Sequence, residues 1–179
     1  MCLIQAFKLW RRRRRDRIYG GPYVDGGTRI SKDTDAPKEI RSRELIRFSC
    51  SVSMLSMMEE DTGLPCGMYR FTAKREESGA VCGASFGRGC FEKVTQSRCD
   101  PALLDAVAEL LRRYNVAQYN GSYYKVSGLP DFYGAELDAD YASGESISCY
   151  HNQDQFLPVE LLQALCDLFS LPSAADISS

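Results

Sequence analysis

From residue 46 to residue 54 the chain alternates strictly. Ile46, Phe48, Cys50, Val52 and Met54 are apolar, and Arg47, Ser49, Ser51 and Ser53 stand between them. Successive side chains of a strand point to opposite faces, so a period of two specifies a strand with one face on a core and the other in water. Its expected neighbours follow closely. Glu59 to Gly63 turns the chain, and Tyr69, Phe71 and Ala73 then alternate with Arg70, Thr72 and Lys74 in a second strand. Glu76-Glu77-Ser78-Gly79 is a polar turn with a glycine available for positive φ, leading into a third strand through Val81 and Phe86. A fourth is expected over residues 91–95, after glycines at 83, 87 and 89 that point to a bulge or a loose loop.

Two helices accompany these strands. Asp100 can accept from the free amides of a first turn, and Pro101 suits the first helical position because it has no N–H to leave unpaired. Leu103, Val107, Leu110, Leu111 and Tyr114 recur at helical spacing, with Asp105, Glu109, Arg112 and Arg113 on the other side, so this helix packs on a sheet and ends near Asn115. The second begins at Pro158. Its Val159, Leu161, Leu162, Leu165, Cys166, Leu168 and Phe169 wrap most of the circumference and leave Glu160, Gln163 and Asp167 as a narrow polar strip, which predicts a core helix, with a partner-facing helix as the alternative. The expected fold is α+β: a mostly antiparallel sheet of five or six strands with two helices packed on one face, spanning residues 44–174.

The 179 residues suit one domain, and the formal charge of -2 conceals an asymmetry. Residues 1–43 hold twelve Lys/Arg against five Asp/Glu, whereas 44–179 hold ten against nineteen. An acidic body is a poor nucleic-acid binder, so nucleic acid is not the expected partner. Residues 1–17 read as a disordered basic leader. Its apolar stretch precedes Arg11 to Arg15, the reverse of a secretory signal, and is too short to span a bilayer. Peripheral membrane contact is the second reading, with Leu3, Phe7 and Trp10 inserted and Arg11 to Arg15 on anionic headgroups, in an otherwise cytoplasmic protein. Residues 18–43 read as a flexible linker, broken by Gly20-Gly21-Pro22, Asp25-Gly26-Gly27 and Ala36-Pro37, so residues 1–43 as a whole are expected to be dispensable for folding. Residues 175–179 read as a tail.

Eight cysteines and one histidine bound the chemistry. No C-x-x-C occurs and zinc-finger spacings are absent, so no metal or cofactor is expected. Cys50, Cys82 and Cys166 fall where small apolar side chains belong, which favours reduced structural thiols; a disulfide between Cys82 and Cys90 is the other reading. The glycine-rich stretch from Cys82 to Gly89 lacks the order of a phosphate-binding loop and opens no helix. Glu136, Asp138 and Asp140 alternate along a strand and share one face, as a solvated edge-protecting row or as a site for Ca²⁺ or a basic partner.

The last third carries a resemblance. A helix is followed by Tyr119-Asn120-Gly121, a loop with Gly128, a hairpin from Leu137 to Ile147 turning at Ser143-Gly144-Glu145, then Leu157-Pro158 and a short helix closing in Leu168-Phe169. As an ordered series over residues 102–169 this resembles a group of uncharacterised bacterial proteins. The resemblance implies a small bacterial α+β protein; the group has no established activity, so it assigns no catalytic residue. Within it, Asn120, Tyr123, Tyr124, Tyr150, His151, Asn152 and Asp154 form the most polar and aromatic loop set. Tyrosines and amides suit recognition of a small polar ligand or of a protein, so a non-enzymatic binding or interaction domain is the favoured reading. The alternative is an enzyme or thiol-redox protein built on Cys149 and His151 or on the carboxylate row.

Overall fold

The computed structural model describes residues 27–55, 62–88, 92–127, 133–153 and 156–171. The leader over 1–17, the first part of the expected linker, Cys90, Asp154 and the tail over 175–179 lie outside the described residues.

Among the described residues there are eight strands: β1 (Gly27–Lys32), β2 (Leu45–Met54), β3 (Met68–Glu76), β4 (Gly79–Gly87), β5 (Ser97–Cys99), β6 (Ser122–Ser127), β7 (Tyr133–Tyr141) and β8 (Ser146–His151). They form one sheet in the order β1-β6-β8-β7-β2-β3-β4-β5. Every neighbouring pair is antiparallel except β6 and β8. The helices are α1 (Ala102–Arg113) and α2 (Val159–Leu168), with a 3-10 turn over Val116–Tyr119 between α1 and β6. The class is α+β, as the sequence pattern requires, but the sheet is wider than the five or six strands expected.

The two strands that patterning misses pair with each other, from Gly27↔Ser127 to Lys32↔Ser122. β1 lies within residues 18–43, so this stretch is not simply a linker; sheet structure is already present at Gly27 rather than near Arg43. Its six residues are too few to show a period against flanking Gly and Asp. β6 hides for another reason. Its Tyr123 and Tyr124 face opposite sides of the sheet and both sides are partly covered, so no polar and apolar alternation marks it. The fourth strand expected over 91–95 is displaced to β5. Residues 92–96 run without regular structure, and Val94 and Thr95 pass so close over β4 that a Cβ on Gly83 would stand 2.4 Å from the Thr95 carbonyl oxygen. Gly83 therefore admits a crossing backbone and does not mark a bulge.

A bulge does occur in β2. Its register against β7 shifts between Leu45↔Tyr141 and Arg47↔Asp140. One extra residue reverses the parity of what precedes it, so Leu45 turns into the core and Ile46 is left as an exposed large hydrophobic. From Phe48 onward the strand follows its alternation. Phe48, Cys50, Val52, Tyr69, Phe71, Leu137, Ala139, Ile147 and Cys149 make one apolar surface, closed by Leu104, Val107 and Leu111 of α1 and Leu161, Leu162, Leu165 and Cys166 of α2.

Asp100 starts α1 as its type suggests, with Oδ1 accepting from the Ala102 amide at 2.9 Å and its carbonyl from Leu103 at 3.0 Å. The buried stripe is centred on Leu104 rather than Leu103, which is only partly buried. Asn115, at φ 49°, takes the left-handed position that ends the helix. Among the described residues no helix is long and apolar enough to cross a membrane.

Candidate ligand cavity

Helix α1 lies over β2 and β3 with α2 packed beside it, and the β1-β6-β8 end of the sheet carries a different construction. β6 and β8 meet in parallel through only two residue pairs, Tyr123↔Tyr150 and Tyr124↔His151. So short a ladder leaves backbone groups at both ends to be satisfied otherwise. Two buried asparagines do this. Asn120 donates through Nδ2 to the carbonyls of Ser146 (2.8 Å) and Pro37 (2.9 Å), and its Oδ1 accepts from the Ser148 amide (2.8 Å). Asn152 accepts from the Val126 amide (2.9 Å) and donates to the Val126 carbonyl (2.8 Å). Each side-chain amide thus imitates one residue of a neighbouring strand.

Gly121 belongs to the same arrangement. It sits at φ +73°, donates to the Ser148 carbonyl at 2.9 Å and accepts from the Asp33 amide at 2.9 Å. A Cβ there would meet the Asp33 carbonyl at 2.7 Å, so both the backbone angle and the close approach require glycine.

The register that these contacts fix brings four rings into two stacks. Tyr124 lies on His151 with centroids 4.3 Å apart and planes 14° from parallel. Tyr123 lies on Tyr150 at 4.9 Å and 22°. Alternation along β8 puts His151 on the side of buried Ile147 and Cys149, where the helices pack, and Tyr150 on the opposite side with Glu136 of β7.

Between the Tyr124–His151 stack and the 3-10 turn lies an open cavity of about 200 Å³. Tyr119 and Phe156 also line it, as an edge-to-face pair with 5.2 Å between centroids. Lys32 stands at the rim, and Ser122, Cys149, Tyr123 and Tyr150 complete the lining. The polar chemistry at this site is sparse: one ammonium, one hydroxyl, the tyrosine hydroxyls and an imidazole. The imidazole is already oriented, since its Nδ1 accepts from the Gln153 amide at 3.2 Å; a neutral ring then carries its proton on Nε2.

Cys149 is a poor nucleophile. Burial first, and then the nearby Cys50, Asp138 and Glu136, push its thiol well above the ordinary range, and its Sγ faces the Leu137 carbonyl at 3.9 Å. The carboxylates of β7 do not converge. Asp138 faces Ser49 and Ser148, Glu136 faces Ser51 and Tyr150, and Asp140 pairs with Arg47 Nε at 2.8 Å. Among the described residues no group of three His, Cys, Asp or Glu side chains is placed to hold a metal ion.

Of the seven residues singled out from sequence, the cavity gathers Tyr123, Tyr124, Tyr150 and His151. Asn120 and Asn152 are buried behind it, with their amides committed to backbone. Lys32, Tyr119, Ser122 and Phe156 were not legible as site residues. Lys32 enters only because β1 joins the sheet, and Tyr119 and Phe156 meet across 37 residues of sequence. No family model, curated protein or solved structure matches this chain, so the functional argument rests on this geometry.

Proposed function

We propose that the protein is a binding domain whose ligand is a small, flat aromatic anion held in the cavity lined by Tyr124–His151 and Tyr119–Phe156. The observation that carries this reading is the cavity's composition: two contacting ring pairs, Tyr124–His151 and Tyr119–Phe156, and one ammonium side chain, the exposed Lys32, among its lining residues. Offset and edge-to-face contacts favour a planar ring against such pairs, and an ammonium at the rim selects a carboxylate or similar group that stays near water. A volume of about 200 Å³ is below the roughly 300–1,000 Å³ of drug-sized pockets, which points to a one-ring ligand. The favoured sequence reading, a small polar ligand, thereby becomes a mainly apolar ligand with one charged end. The enzyme reading through Cys149 and His151 is weaker, because burial holds the thiol neutral.

Titration with benzoate, benzamide and cyclohexanecarboxylate, followed by amide chemical shifts, tests the proposal. Benzoate should bind best, benzamide should lose the Lys32 contribution, and cyclohexanecarboxylate should lose the ring stacking. Equal response to all three would refute an aromatic anion site.

A further inference from the structure

At the opposite end of the sheet, β5 is an edge strand of three residues, paired through Ala80↔Cys99, Val81↔Arg98 and Cys82↔Ser97. Cys82 and Cys99 are therefore diagonal neighbours on one face of the β4–β5 ladder. Both are free, only partly buried and packed against the margin of the core. The Cys82 thiol is close enough to Cys99 to push that thiol's pKa up. We propose that Cys82 and Cys99 form a reversible dithiol–disulfide site, oxidised by a small-molecule disulfide of the glutathione class.

The chemistry balances in two exchanges. The Cys82 thiolate attacks one sulfur of glutathione disulfide, forming a mixed disulfide and releasing one glutathione thiolate, which takes up a proton. Cys99 then loses its proton and attacks the Cys82 sulfur, closing the Cys82–Cys99 bond and releasing the second glutathione. Two protein thiols become one disulfide, and one glutathione disulfide becomes two glutathione thiols.

The order of attack follows from the surroundings. Asp100 follows Cys99 directly in the chain, and desolvation, the neighbouring Cys82 thiol and that carboxylate push the Cys99 thiol up, so Cys82 is the attacking thiol. Diagonal Cα atoms stand about 7–8 Å apart across a ladder. Unstrained disulfides prefer about 4.4–6.8 Å, so closure requires β5 to slide along β4. A short edge strand with three residue pairs can do so, and the resulting bond is of the strained, partly exposed kind that is readily reduced. The site differs from the Cys82–Cys90 pairing, the second reading of the sequence, by using a partner on the adjacent strand.

The test is to incubate the full chain with oxidised glutathione, block the remaining thiols by alkylation and map its peptides without reduction. A peptide pair joined through Cys82 and Cys99, lost on adding reduced glutathione, is the expected result. In C99S the glutathione adduct on Cys82 should persist, because no neighbouring thiol resolves it. Full alkylation of both thiols in the wild type after oxidation, or a bond from Cys82 to Cys90, would overturn the proposal without recourse to any variant. An adduct on Cys82 that resolves equally fast in C99S would overturn it as well.

Discussion

Asn120 and Asn152 hold the two ends of the parallel β6–β8 pairing with their side-chain amides, Asn120 on Ser146 and Ser148 of β8 and Asn152 on Val126 of β6. Between them lie the two residue pairs whose rings build the cavity side and its reverse face. Replacing either asparagine strips partners from buried backbone groups, and each such group costs about 1–3 kcal/mol.

Asn152→Ala leaves the amide and carbonyl of Val126 without their partner. The expected loss is roughly 2–4 kcal/mol in chemical denaturation, together with faster hydrogen exchange at Val126. Unchanged stability with unchanged Val126 exchange would mean that water replaces the side chain at no cost.

In α2, Leu165 is buried at 1% exposure, and deleting a buried leucine side chain typically costs about 2–5 kcal/mol. Leu165→Ala should lose that much. Gln163 belongs to the polar strip, yet its Nε2 donates to the Thr62 carbonyl at 2.6 Å. Gln163→Ala is therefore expected to cost about 1 kcal/mol. A larger loss for Gln163→Ala than for Leu165→Ala in urea melts would reverse the assignment of the helix to the core.

Removing residues 1–43 tests the boundary of the domain. The deletion takes β1 from β6, the Pro37 carbonyl from Asn120, and the Lys38 ammonium from the Asn120 carbonyl. A fall in thermal midpoint of more than about 5 °C is expected, since about 1 kcal/mol shifts a domain of this size by roughly 2–4 °C. An unchanged midpoint would restore the linker reading of residues 18–43.

Glu145 ties the β7–β8 turn to the chain entering β2. Its carboxylate accepts from the amides of Arg41 (3.0 Å) and Ser42 (2.9 Å) and from the Ser143 hydroxyl (2.8 Å). The Arg41 amide, then Ser143 and Ser42, hold its pKa below the ordinary carboxylate value. A lowered folded pKa gives stability that is complete above the unfolded value, about 4.3, and is lost as pH falls through the folded one. The Arg41 and Ser42 amides should be protected from exchange at neutral pH and lose protection in acid. Glu145→Gln should show the loss already at neutral pH, and equal protection in variant and wild type there would refute the tie.

Where one side chain pattern decides one contact, the sequence was readable. The alternation from Phe48 to Met54, Asp100 before α1, and Leu161, Leu162 and Leu165 on α2 each depend on neighbours within a turn or a strand. β1 was not readable, because what makes it a strand is β6, about 95 residues away. The position of Ile46 depended on a bulge against β7, which no local pattern encodes. The candidate site was half legible. Tyr123, Tyr124, Tyr150 and His151 stood out as aromatic and polar loop residues, but their stacking depends on the register of two strands in parallel.

The most direct test of the binding proposal is a benzoate titration of the isotopically labelled full chain, repeated with Tyr124→Ala and Lys32→Ala. Shifts should cluster at Lys32, Tyr119, Ser122, Tyr124, His151 and Phe156, and saturate. Tyr124→Ala should abolish saturation, and Lys32→Ala should weaken benzoate while leaving benzamide unaffected. Absence of saturable shifts at these residues in the wild type, or shifts confined to the opposite face around Glu136 and Ser51, would contradict the account.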